Sequence, residues 1–233
     1  MHVLRYPDSR SAAKACGQRI LDLLTEAIAG RQRATLAISG GTSPKPMFEL
    51  FAKSGFAWES VHVFWVDERC VPPSDTQSNF RMANETWLAP AKVPRGNIHR
   101  VLTELAPQEA ARQYEEQLRT VLGGDVPQFD VIHRGIGPDA HTASLFPGEP
   151  LIEDHQKLAA AVWVEKMHQW RVTLLPGVLE AARHTVILAT GSDKAAALKS
   201  ALYGDYDPMT VPAQIGARGP SATWFTDVAV ELG

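Results

Sequence analysis

The stretch Phe129–Gly148 holds the densest chemistry in the chain. After the run Phe129-Asp-Val-Ile-His133, glycines at 135 and 137 break the chain into a loop carrying Asp139, His141, Thr142 and Ser144. A histidine beside a carboxylate suits proton transfer, because an unperturbed imidazole titrates at roughly pH 6.5. A second cluster, Ser39-Gly40-Gly41-Thr42-Ser43, follows an apolar run and precedes Pro44. Glycines there let backbone amides approach an anion, hydroxyls add donors, and the helix start that follows contributes partial positive charge. It is neither a Walker A loop nor a full Gly-x-Gly-x-x-Gly fingerprint, and alone it also fits an ordinary turn between strand and helix. Asp67-Glu68-Arg69 ends a third apolar run; a solvated strand end is the plainer alternative. Arg171 and Lys194 add cations, and Asn79 fits a ligand or a helix cap. Lys194 falls in the first turn of a helix, where a cation opposes the dipole; a bound anion would explain it. The set suits a phosphorylated small molecule and a proton-transfer step. His133 and His141 lack the spacing of a zinc site, and nothing in the set suits redox chemistry or a tightly held metal.

The elements that must position these residues alternate along the chain. Residues 2–6 read as a strand, 11–29 as a helix with Gly30 at its C′ position, and 35–38 as a buried strand. A helix from Pro44, a strand over 61–66, a helix from Ser78-Asn79 to near Leu88, and a short strand at 98–101 follow. Residues 107–122 read as a helix closed by Gly123-Gly124. Strands are expected at 129–133, 158–165, 184–190 and near 223–225. Helices are expected at 176–182, around Lys194, in the Pro212 region, and as a terminal turn after Asp227. Alternating strands and helices predict a three-layer αβα, Rossmann-like fold with a doubly wound, mostly parallel sheet. In such a sheet the polar loops at the carboxyl ends of strands lie along one edge and can meet on one ligand. No linker or repeat divides the chain, so residues 1–233 are expected to form one domain.

The bulk numbers limit the partners. A chain of 233 residues, 45% hydrophobic, can bury a sizeable core, and a net charge of −3 argues against a nucleic-acid surface. No segment approaches the roughly 20 apolar residues of a membrane span, and the first residues carry no apolar signal sequence. A soluble, cytoplasmic protein is expected, with oligomeric state open. Cys16 and Cys70 form no disulfide framework; Cys16 reads as core, and Cys70, among charges, as a packed thiol or a reactive one.

In order along the chain, Ser39-Gly-Gly-Thr-Ser-Pro44, Trp65-Val-Asp-Glu-Arg69, Val71-Pro72, Ser78-Asn79, Gly135-Ile-Gly-Pro-Asp-Ala-His-Thr-Ala-Ser-Leu-Phe-Pro-Gly148, Arg171-Val-Thr173, and Gly191 with Lys194 resemble the 6-phosphogluconolactonases. These share a superfamily and a fold with the glucosamine-6-phosphate deaminases. The resemblance implies hydrolysis of 6-phosphoglucono-1,5-lactone to 6-phosphogluconate, the second step of the oxidative pentose phosphate pathway, without a cofactor. It implies His141 as general base, with Asp139 or Asp67 orienting the imidazole or holding sugar hydroxyls. Ser39, Gly40, Gly41, Thr42, Arg69, Arg171 and Lys194 would bind the phosphate and help stabilise the oxyanion, with Asn79 a further candidate. Two rivals are a deaminase-like isomerase and a non-catalytic sugar-phosphate binder. The first usually has Asp-Glu-Tyr where Asp67-Glu68-Arg69 stands, and His-Ile-Ala-Phe-Asn-Glu-Pro where this chain has His141-Thr-Ala-Ser-Leu-Phe-Pro147. Two positions depart from the family pattern. Ala140 replaces a glycine, which would cost roughly 1 kcal/mol or more if φ is positive there. His133-Arg134 replace aliphatic residues, so Arg134 would put a charge near the site or need a buried partner.

Overall fold

A computed structural model of the chain describes residues 1–124 and 127–229. Strand β1 (His2–Arg5) leads into α1 (Ser9–Arg31), capped by Asp8, whose carboxylate accepts the Ser11 amide. Gly30 lies inside α1 and does not end it. Gln32 ends it instead, in the left-handed conformation (φ 61°) with its N–H on the Ile28 carbonyl. Strand β2 (Ala34–Ile38), helix α2 (Lys45–Lys53) and strand β3 (Val61–Trp65) follow, then β4 (Asp67–Arg69) and α3 (Asn79–Ala83). The helix expected to run to Leu88 passes into a π-helical turn at Asn84–Leu88. Next come β5 (Ile98–His99), α4 (Pro107–Leu122) and β6 (Val131–Gly135). Beyond the site loop lie β7 (Ala159–Val164), β8 (Gln169–Leu174) and α5 (Pro176–Ala181). The chain closes with β9 (His184–Ala189), α6 (Ala195–Tyr203) and β10 (Ala222–Thr226). Most of the terminal turn expected after Asp227 lies outside the described residues.

Seven strands form a sheet in the order β1-β10-β9-β6-β2-β3-β5, and every pairing in it is parallel. Side-chain alternation splits it between two covered faces. Val186 and Leu188 of β9 pack with α1 and α2, while Ile187 and Ala189 pack with α6 on the other side. Ala37, Phe64 and Ile132 also face that second side, under α4 and α5. This is the expected three-layer, doubly wound architecture.

Beside it stands a feature absent from the expected element list. Asp67–Arg69 is no mere strand end; it is a separate strand, β4, paired antiparallel with β8, which pairs with β7. Residues 169–174, which carry no strand in the sequence reading, supply the middle of this second sheet. The centre strand β6 begins two residues later than expected, at Val131, so His133 and Arg134 lie within it and point to opposite faces. Among the described residues, no helix is long and apolar enough to cross a membrane.

Candidate active site

The carboxyl ends of the central strands open into a cleft of about 270 Å³. It is lined by Ser39–Pro44, Asp67, Arg69, Asn79, His133, Gly137, His141, Arg171, Thr190 and Lys194, among others. Ten of the eleven residues expected from the resemblance to act in catalysis or binding therefore meet in one place. The exception, Asp139, lies behind His141 and lines a neighbouring groove with Phe146 and Lys166.

The loop after β2 carries the cradle. Among the described residues, the amides of Gly40, Gly41, Thr42 and Ser43 donate to no backbone carbonyl, which leaves them available to an anion at the start of α2. Gly41 has φ 98°, a conformation that strains any side chain. Gly40 is fixed by contact: a Cβ there would fall 1.9 Å from Asn79 Oδ1. Asn79 is itself tied down, its Nδ2 donating to the Asp67 carbonyl at 2.9 Å.

That tie depends on Glu68, which is 2% exposed. Its carboxylate accepts the amides of Arg69, Asn79 and Phe80 and the Ser78 hydroxyl. Burial pushes its pKa up, against the pull of those amides. Glu68 thus anchors the segment that carries Asn79 and leaves Asp67 and Arg69 to face the cleft. Asp67 accepts the Ser144 hydroxyl at 2.7 Å and lies 3.9 Å from Arg171 Nη1. Arg69 donates to the Gln77 carbonyl, and Lys194 lies 2.7 Å from Asp193. The cleft lining thus holds three cations, Arg69, Arg171 and Lys194, against one carboxylate, Asp67. That imbalance favours an anionic ligand.

His141 is held from behind. Its Nδ1 lies 2.5 Å from Asp139 Oδ1, its ring packs 4.3 Å from the Phe146 ring, and its carbonyl accepts the Gly137 amide. A Cβ at Gly137 would fall 2.0 Å from Nδ1, so only glycine admits the imidazole here. An ionised carboxylate only accepts, so Asp139 keeps the proton on Nδ1 and leaves Nε2 as the basic nitrogen. Burial lowers the His141 pKa, and Asp139 opposes the shift. Burial would raise Asp139 itself, yet hydrogen bonds from Lys166 and His141 hold it well below the carboxylate range.

Lys166 joins this arrangement without having been singled out in the sequence. It sits in the turn between β7 and β8, its ammonium paired with Asp139 and 4.1 Å from the Phe146 ring centroid. No motif marks it, because only the antiparallel hairpin brings it back over the loop.

The two departures from the family pattern resolve separately. Ala140 does adopt a left-handed backbone, φ 64°, as does Ala143, φ 53°; the loop keeps the shape that glycine would favour. Arg134 adds no charge to the cleft. It is fully buried on the far face, its Nη2 donating to the Ile215 carbonyl while Nη1 has no partner among the described residues. Burial lowers its pKa only to about 10, so it stays charged. His133 is among the residues lining the cleft, with both ring nitrogens buried and, among the described residues, unpartnered. Such an unpaired polar atom costs about 1–3 kcal/mol. Burial lowers its pKa to about 3, so the ring is neutral. Cys70 is no reactive thiol: burial, then Glu68, raise its pKa to about 11.

The family model described as glucosamine-6-phosphate isomerases/6-phosphogluconolactonase matches residues 7–224. A 6-phosphogluconolactonase of Synechocystis is 38% identical over 88% of this chain and 86% of its own length. One from Nostoc is 34% identical over 96% and 94%. The crystal structure of 6-phosphogluconolactonase from Thermotoga maritima superposes with a TM-score of 0.86 at 29% identity, covering 97% of this chain and 98% of the other.

Proposed function

Because this chain belongs to the glucosamine-6-phosphate isomerase/6-phosphogluconolactonase family, we propose that it hydrolyses 6-phosphoglucono-1,5-lactone to 6-phosphogluconate with His141 as the base. It is a lactonase, a hydrolase of the pentose phosphate pathway. The observation that carries the assignment of roles is the Asp139–His141 pair at the rim of a cation-rich cleft.

The substrate's phosphate lies against the Ser39–Thr42 amides, with Lys194, Arg171 and Arg69 supplying positive charge. That grip places the lactone carbonyl near His141. Nε2 takes a proton from water as the oxygen attacks C1, and the carbonyl electrons move onto oxygen. Cations facing the cleft stabilise that oxyanion in a site partly screened from water. Collapse of the tetrahedral intermediate breaks the C1–ring oxygen bond, and the leaving oxygen takes the proton back from the imidazolium. Water is consumed, the ring opens, and the enzyme returns to its starting state. Asp139 stabilises the imidazolium in between, and Asp67, held by Ser144, faces the sugar hydroxyls.

The test is acid release from freshly made 6-phosphogluconolactone, measured against the spontaneous rate. Native protein should accelerate it, and His141→Ala should lose roughly 100-fold or more of that acceleration. Equal rates for the two proteins would remove His141 from its role.

A further inference from the structure

His133 is a cleft residue to which the mechanism above gives no task. It sits in the centre strand β6, is 1% exposed, and lines the cleft together with Leu188 and Thr190. Its carbonyl accepts the Ser39 amide, so the residue is joined to the first peptide of the cradle. Val131, two residues earlier, packs with α1 and α2. Alternation puts the His133 ring on that same face, the one from which the Ser39–Pro44 loop passes into α2. Among the described residues, neither ring nitrogen has a partner. Packing alone gives no reason for an imidazole here, since a leucine fills similar volume without leaving two polar atoms dry.

The geometry points to His133 as a ligand of the substrate's phosphate, its ring N–H donated to a phosphate oxygen from the floor of the cleft. This rests on the proposal that the Ser39–Thr42 loop takes that phosphate. The neutral ring carries one N–H and one lone pair. A phosphate monoester offers three strong acceptor oxygens and a charge of about −1.5 to −2 near neutral pH. The loop amides and the cations then hold the group from the rim, and the imidazole holds it from beneath. Binding gives that donor its partner, so the residue acts on affinity and not on the chemical step.

The direct test uses native protein labelled with 15N in its histidines and titrated with inorganic phosphate. The His133 ring signals are identified by their loss in His133→Leu. They are expected to shift with the same midpoint as the phosphate-induced rise in Tm. A rise in Tm with unmoved His133 signals overturns the assignment and leaves the cradle standing. Absence of both effects overturns the cradle, and this inference with it.

Kinetics give a second arm. His133→Leu is expected to raise KM for 6-phosphogluconolactone roughly 10- to 100-fold with kcat within about threefold. The unliganded Tm should be unchanged or higher, because two buried unpaired atoms are removed. His133→Gln keeps a donor and should recover most of the KM. An unchanged KM in the leucine variant, or a fall in kcat together with Tm, would show a packing role and overturn the inference.

Discussion

Replacing Asp139 by asparagine tests whether the carboxylate behind His141 sets the proton of the imidazole. The size of the side chain is kept; its charge and the sense of its hydrogen bond change. The carboxylate accepts only, so at 2.5 Å it fixes the proton on Nδ1. The amide can turn its NH2 toward Nδ1, which moves the proton to Nε2 and leaves no base facing the cleft. A hydrogen bond to a charged partner is worth about 1.5–3 kcal/mol, so kcat should fall roughly 10- to 150-fold from that loss alone. The pH profile carries the sharper sign. Burial lowers the pKa of His141 and Asp139 raises it again, so without the carboxylate the acid limb of kcat/KM moves to lower pH. Lys166 pushes the same group downward, so Lys166→Met should move the limb the other way. The Lys166 side chain is 48% exposed, and screening by solvent keeps this upward shift small. Acid release followed with a pH indicator across about pH 5.5 to 8, corrected for spontaneous opening, reads both effects. An Asp139→Asn enzyme within roughly threefold of native, or limbs that move in the same direction in both variants, would refute the arrangement.

Three further outcomes follow from the same geometry. Gly40→Ala drives a Cβ to 1.9 Å from Asn79 Oδ1, whose side chain is held by the Asp67 carbonyl. The cradle must shift, so kcat/KM should drop roughly 10- to 100-fold and chemical denaturation should show a loss of about 1–3 kcal/mol. Ala140→Gly relieves a φ of 64°, worth about 1–2 kcal/mol. It also gives up a buried methyl and adds unfolded-state freedom, together about 1–2 kcal/mol. Its Tm and kcat should therefore stay close to native, and a rate gain of roughly tenfold would show that alanine distorts the loop. Acid stability follows from His133, whose folded pKa of about 3 lies below the unfolded value of 6.5. The unfolded chain binds the proton first, so this stability is complete above pH 6.5 and lost as pH falls, by about 3 kcal/mol at pH 4. Urea titrations of native protein and His133→Leu should diverge in that window, and parallel curves would contradict the assignment.

Much of this was legible in local chemistry. Pro107 at a helix start and Gly123-Gly124 at its end gave both bounds of α4, because one residue fixes φ and the others break the helix. The cradle and the Asp139–His141 loop were readable because apolar run, glycine and polar cluster follow each other without a gap. The second sheet was not. β4 is three residues long, and its partner Thr173 lies far along the chain from Asp67, a pairing that no local periodicity encodes. Lys166 was lost for the same reason. Gly30 misled because an exposed glycine can stay helical while a later residue takes the left-handed turn. His133 and Arg134 read as one anomaly but are two, since adjacent strand residues serve opposite faces.

The hairpin β7–β8 has a consequence for how the protein loses function. The small sheet contributes Asp67, Arg69 and Arg171 and, from its turn, Lys166; the parallel sheet and its loops contribute the cradle, His133, His141 and Lys194. The candidate active site is a seam between two bodies of hydrogen-bonded backbone. If the smaller one opens first, it takes away the anion's counter-charges and the support of Asp139 together, while β6 and β9 keep their amides protected from exchange. Turnover should then disappear at a denaturant concentration where the seven-stranded core still resists deuterium. Catalysis would be the most sensitive gauge of whether the two sheets remain docked.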